Sequence, residues 1–147
     1  MRRKSQIMEQ SDRKIAKREL IGAYAPTHRL MDDNQLVTLS KRFAVDVIEI
    51  CDILVNRKRS TPIISQLLRS GTSIGANIYE GNYAASKADF INKFQIALKE
   101  CYETDYWLDI FHASHMLTDE EYNRMFVDCS KIRKLLIASI TTAKKKG

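Results

Sequence analysis

A chain of 147 residues with 44% apolar content is large enough to bury one core and too small for two ordinary domains. It has no uncharged apolar run of the ~18 residues that a membrane span needs, and the N-terminal MRRKSQIMEQSDRKIAKREL lacks the apolar stretch of a secretory signal, so a cytoplasmic protein without membrane contact is expected. Of the 24 Lys/Arg and 18 Asp/Glu behind the net charge of +6, residues 1–30 hold eight and three, and Lys144, Lys145 and Lys146 add three more basic groups, which leaves the body at 13 basic against 15 acidic.

The basicity therefore belongs to the ends. Such ends either touch phosphate backbones and acidic surfaces or simply keep a protein soluble, and charge alone does not choose. Residues 1–30 read as a basic extension: Ile7, Ile15, Leu20 and Ile21, scattered among charges, fit a loosely docked segment better than an integral fifth helix, and Met31 marks the start of the domain. Cys51, Cys101 and Cys129 are odd in number, far apart and set among apolar residues, so they are expected in the core rather than in disulfides or a metal site.

Glycine and proline are scarce, at five and two, and helical spacing of apolar residues recurs four times, which predicts an all-α protein. The first helix runs from about Asp33 to Arg57 with Leu36, Leu39, Phe43, Val47, Ile50 and Leu54 on one stripe, closed by the basic knot Arg57, Lys58, Arg59 at the negative end of its macrodipole. Pro62 suits the first turn of the second, which carries Ile63, Ile64, Leu67, Leu68, Ile74 and Ile78 and ends between Gly81 and Ala84. Ser86 with Asp89 opens the third, whose apolar face includes Phe90, Phe94, Ala97, Cys101, Leu108 and Phe111 and which reaches about Ser114; Thr118 with Glu121 opens the fourth, which is expected to bury Tyr122, Met125, Phe126, Cys129, Ile132, Leu136 and Ile140. Short connections then force an up-down-up-down four-helix bundle over residues 31–143, followed by a basic tail at 144–147.

The second and third helices hold the candidate functional residues. Gly71 and Gly75 lie four apart on one face, and two mid-helix glycines cost about 1 kcal/mol each against alanine, which close approach by another helix offsets. A second stripe reads Gln66, Ser70, Ser73, Asn77, Glu80 at intervals of three and four. The third helix offers Lys93, Glu100, Glu103, Thr104 and Trp107. The bland account is a solvated face. Exposed helix positions, however, are usually filled by Lys, Glu, Gln and Arg, so short Ser, Asn and Gly favour a buried or intersubunit polar network in which Asn77 meets Glu80, Lys93 or Lys99 meets Glu100 and Glu103, and the Trp107 indole finds an acceptor.

These stretches, RSGTSIGANIYEG (Arg69 to Gly81) and SKADFINKFQIALKECYETDYWL (Ser86 to Leu108), resemble the four-helix bundle proteins associated with 23S rRNA intervening sequences. About forty residues carry the likeness; Tyr79 departs from the small apolar residue expected there, and the basic extension is atypical. The resemblance implies a homopentameric, barrel-like assembly without catalytic activity or cofactor. It also implies kinship with the accessory variability protein of diversity-generating retroelements, which binds nucleic acid and a reverse transcriptase through basic residues lining its pentamer. Carried to this chain, that role falls on Arg69, Lys87, Lys93 and Lys99.

Enzymatic readings find little support. The chain has no Glu-x-x-His for a di-iron bundle, His112 and His115 lack a third ligand, and Gly71 to Gly75 matches neither phosphate-binding glycine motif. Glu100 and Glu103 suit a structural network as well as an acid/base pair. The sequence thus points to a non-enzymatic bundle that self-associates through its Gly/Ser/Asn-bearing surface and binds RNA or DNA as an accessory factor, with a protein-interaction scaffold as the alternative.

Overall fold

The computed structural model describes residues 34–146. Among them every regular element is an α-helix: α1 (Gln35–Asn56), α2 (Thr61–Asn82), α3 (Lys87–Ala113) and α4 (Asp119–Lys145). The extension expected at residues 1–30 lies outside the described residues. The helices have 22, 22, 27 and 27 residues, hence lengths of about 33 to 40 Å at 1.5 Å per residue.

Local signals set most boundaries. Pro62 sits in the first turn of α2 behind Ser60. The Ser86 hydroxyl accepts the Asp89 amide at the start of α3, and Thr118 with Glu121 makes both bonds of a capping box at the start of α4. The basic tail begins later than expected: α4 continues through Lys145, so Lys144 and Lys145 occupy its last turn, where cations oppose the negative end of the dipole.

The basic knot after α1 behaves differently from its expected role. The helix stops at Asn56, and Lys58 takes a left-handed φ of 58°, reversing the chain. Arg57 then reaches the connection between α3 and α4, donating to Glu121 Oε2 and Oε1 at 2.9 and 2.7 Å and to the Met116 carbonyl at 3.3 Å, while Arg59 donates to the His115 carbonyl at 3.2 Å. The knot is a cross-link between distant segments rather than a helix-end counter-charge.

The helices pack antiparallel in sequence. On α1 and α2, Val47 meets Gly71 while the earlier Ser40 meets the later Gly75. The Lys93–Glu80 pair and the Thr104–Ser70 bond set α3 against α2, and Asp109 meets Tyr122 where α4 starts. Phe43, Ile50, Leu54, Leu67, Ile74, Leu108, Phe111 and Met125 fill the centre, joined by all three cysteines. Burial pushes the Cys51 thiol up to about 12, as expected of a core residue rather than a reactive one. Met116 and Leu117, which fall in a connection, are also buried and close one end of the core.

Candidate functional site

Three kinds of side chain line the seam between α2 and α3. Deepest is a polar contact of two fully buried hydroxyls, Thr104 donating to Ser70 at 3.1 Å, with Ser70 in turn donating to the Leu67 carbonyl. Further out, Ser73 donates to the Arg69 carbonyl at 2.6 Å and Asn77 to the Ser73 carbonyl at 2.9 Å, so the short polar residues satisfy themselves on their own helix. Outermost are charges: Arg69 donates to Glu103 and pairs with Glu100 at 3.6 Å, Lys93 pairs with Glu80 at 2.8 Å, and the Trp107 indole donates to Glu103 at 3.3 Å.

The expected network is therefore present with different partners. Glu80 is held by Lys93, one helix away, while Asn77 turns back along α2. The glutamates of α3 are met by Arg69 from α2, not by Lys93 or Lys99 of their own helix. The two carboxyls also differ. Arg69, helped by the Trp107 N–H, holds Glu103 below the usual carboxylate range, whereas burial pushes Glu100 above it despite the pull of Arg69. Glu100 Oε2 is buried and accepts no hydrogen bond in the structure.

Gly71 and Gly75 find their close neighbour within the chain. A Cβ on Gly71 would stand 2.7 Å from Val47 Cγ2, and one on Gly75 would stand 3.3 Å from the Ser40 carbonyl oxygen. Both glycines admit α1 and are taken up by intrachain packing. Gly81 does the same for Phe94 of α3, at 2.7 Å.

The four candidate phosphate contacts do not converge. Arg69 and Lys93 are each engaged by glutamate, and Lys87 and Lys99 are exposed about 18 Å apart along α3. His112 stacks on Tyr122 with centroids 4.3 Å apart, and its Nε2 lies 2.6 Å from Asp119 Oδ1. No group of three or more metal-ligating side chains occurs among the described residues, and no helix among them is long and apolar enough to cross a membrane.

Two exposed surfaces escape a reading based on polar motifs. One joins α1 and α2: Ile48 and Val55 are seven apart on α1, Leu68 and Tyr79 follow one face of α2, Tyr83 just past its end lies against Tyr79, and Lys41 of α1 lies 5.0 Å above the Tyr79 ring. The other, on α3, carries Tyr102, Tyr106 and Ile110 at intervals of four. Leu68 and Ile63, expected on the apolar face of the second helix, are 37% and 39% exposed, because the buried stripe of α2 runs through Ile64, Leu67, Ile74 and Ile78.

This bundle is similar to the crystal structure, at 1.70 Å, of a protein of unknown function from the S23 ribosomal protein family of Bacteroides thetaiotaomicron, with 46% identity and a TM-score of 0.70 over 71% of this chain and 97% of that one. No curated protein matches. A family model described as 23S rRNA-intervening sequence protein matches residues 32–138, which takes in most of all four helices, and the chain belongs to that family.

Proposed function

We propose that this protein is a non-enzymatic, homo-oligomeric bundle, assembled as a pentamer, that binds RNA or DNA as an accessory factor. The observation that carries the reading is the set of exposed apolar side chains Ile48, Val55, Leu68, Tyr79 and Tyr83 on α1, on α2 and just past its end, since large apolar groups gathered on one side of a fold mark a protein contact. A second copy is its natural occupant, because the chain's own helices are already packed on their other faces. The non-enzymatic part is supported by the engagement of Glu103 by Arg69 and Trp107, of Glu80 by Lys93 and of His112 by Asp119; of the candidate pair only Glu100, whose Oε2 is buried beside Arg69, accepts no hydrogen bond. The nucleic-acid part is supported by exposed Lys87 and Lys99 and by the basic ends of the sequence.

One observation favours the scaffold reading: Arg69 and Lys93 are neutralised by glutamates. In that case the partner is another protein, such as a reverse transcriptase, and the charges are structural. Anisotropy titrations of a labelled structured RNA with the full chain at several salt concentrations separate the two. Phosphate binding makes log K fall linearly with log[salt], and Lys87→Gln with Lys99→Gln is expected to weaken binding and flatten the slope by about 0.7 to 0.9 per lost contact. Absence of salt-dependent binding would leave the scaffold.

A further inference from the structure

We propose that the outward stripe of α3 bearing Tyr102 and Tyr106 is a stacking platform for unpaired bases of a single-stranded nucleic acid. The inference rests on the nucleic-acid reading above and narrows it to a substrate class and a place. Tyr102 and Tyr106 are 54% and 56% exposed, well beyond what a core or seam aromatic needs. Four apart on one helix, they stand one above the other with Cβ atoms about 6 Å apart, a spacing that neighbouring nucleotides of an extended strand can follow.

Cations border the rings. Lys99 is exposed one turn before Tyr102, and the Arg133 guanidinium from α4 lies 5.6 Å over the Tyr102 ring. Two of the carboxylates in the same region have a cationic partner, and the third a neutral donor. Asp105 is held by Arg133, Glu103 by Arg69, and Asp109 accepts the Tyr122 hydroxyl at 2.7 Å. Phosphates approaching this face therefore meet the Lys99 charge with Asp105 and Glu103 compensated, and Asp109 is the one acid there whose partner is a neutral hydroxyl. Aromatic faces interleaved with cations suit single strands, because every base has a π-face to stack and the cations follow the backbone. A duplex keeps its bases stacked on one another and has none to offer these rings.

The structure also supplies a reporter. The only tryptophan of the chain, Trp107, sits edge-on to Tyr106 with centroids 5.1 Å apart, so a base stacking on Tyr106 should perturb its fluorescence. The test uses the full chain at low salt with two probes, a short oligouridylate and an RNA duplex of equal length, followed by anisotropy and by Trp107 emission. The oligouridylate is expected to bind more tightly than the duplex and to change the emission. Tyr102→Ala with Tyr106→Ala should weaken it by at least about tenfold, while Tyr102→Phe with Tyr106→Phe should bind like the parent, since stacking needs the ring and not the hydroxyl.

Unchanged affinity in the alanine variant, or preference for the duplex, would overturn the platform and leave nucleic-acid binding standing. Absence of binding to either probe by the parent chain would overturn both. A smaller assembly mass in the alanine variant, with helicity intact, would assign the tyrosines to a subunit contact and overturn the platform as well.

Discussion

A methyl group at position 71 would press on two Val47 methyls, at 2.7 and 2.9 Å, whereas one at position 75 would meet the Ser40 backbone at 3.3 Å and need only a few tenths of an ångström. Both changes gain about 1 kcal/mol of helix propensity, so the packing term decides the sign. Gly71→Ala is expected to destabilise the fold by about 1–2 kcal/mol, an overpacking cost reduced by that gain, and Gly75→Ala to be close to neutral. Urea denaturation of the two variants checks this, and equal shifts would contradict it. The spacing of the glycines and their demand for a close neighbour were legible in the sequence. The identity of that neighbour was not, because it depends on the register between α1 and α2, which no local pattern encodes. Arg69 teaches the same lesson: alone it reads as a phosphate contact, and only the register of α2 against α3 brings it to Glu103 and Glu100.

Between elements, the joints carry the specificity that helical periodicity lacks. The capping box at Thr118 was readable because its two members sit three apart, yet Glu121 serves two masters, closing the box and receiving Arg57 from the far end of α1. The hydrogen bonds from Arg57, followed by those of Thr118, hold its carboxyl down at about 2 against an ordinary 4.5. A carboxyl depressed by folding stabilises the folded state fully above the unfolded value, and that contribution is lost as pH falls from about 4.5 to about 2. Arg57 is 38% exposed, so solvent screening leaves about 1–2 kcal/mol. Glu121→Gln is therefore expected to lower stability by that amount at pH 7, with the gap to the parent closing through the same window. Thermal melts from neutral to acid pH measure it; a gap constant with pH would mean that the charge contributes nothing. The core stripes and three of the four helix starts were likewise local enough to read, while burial of Met116 and Leu117 was not, since a connection becomes core only when two ends of the bundle meet over it.

At the scale of the whole molecule, the described helices bury one continuous core and still leave Ile48, Val55, Leu68, Tyr79 and Tyr83 outside it. Helical periodicity marks which residues share a face but not whether that face meets the same chain, another copy or water, and the glycines expected in a self-association surface meet α1 of their own chain, Gly71 buried there and Gly75 half-buried. The exposed α1/α2 line is the surface to which the proposed assembly assigns that role. If a second copy covers it, the contact recurs between every pair of neighbours in a closed ring, and one substituted position acts at each interface. Ile48→Glu with Leu68→Glu places carboxylates into each such contact without touching the core, because both positions are exposed in the single chain. Burying unpaired carboxylates is unfavourable by several kcal/mol per interface, enough to dissociate an assembly while helicity persists. Light scattering is expected to show the parent at a multiple of 17.0 kDa and the double variant at 17.0 kDa. A double variant that keeps the parent's mass would place the subunit contact elsewhere, and a parent that is itself monomeric would remove the assembly from the proposed function.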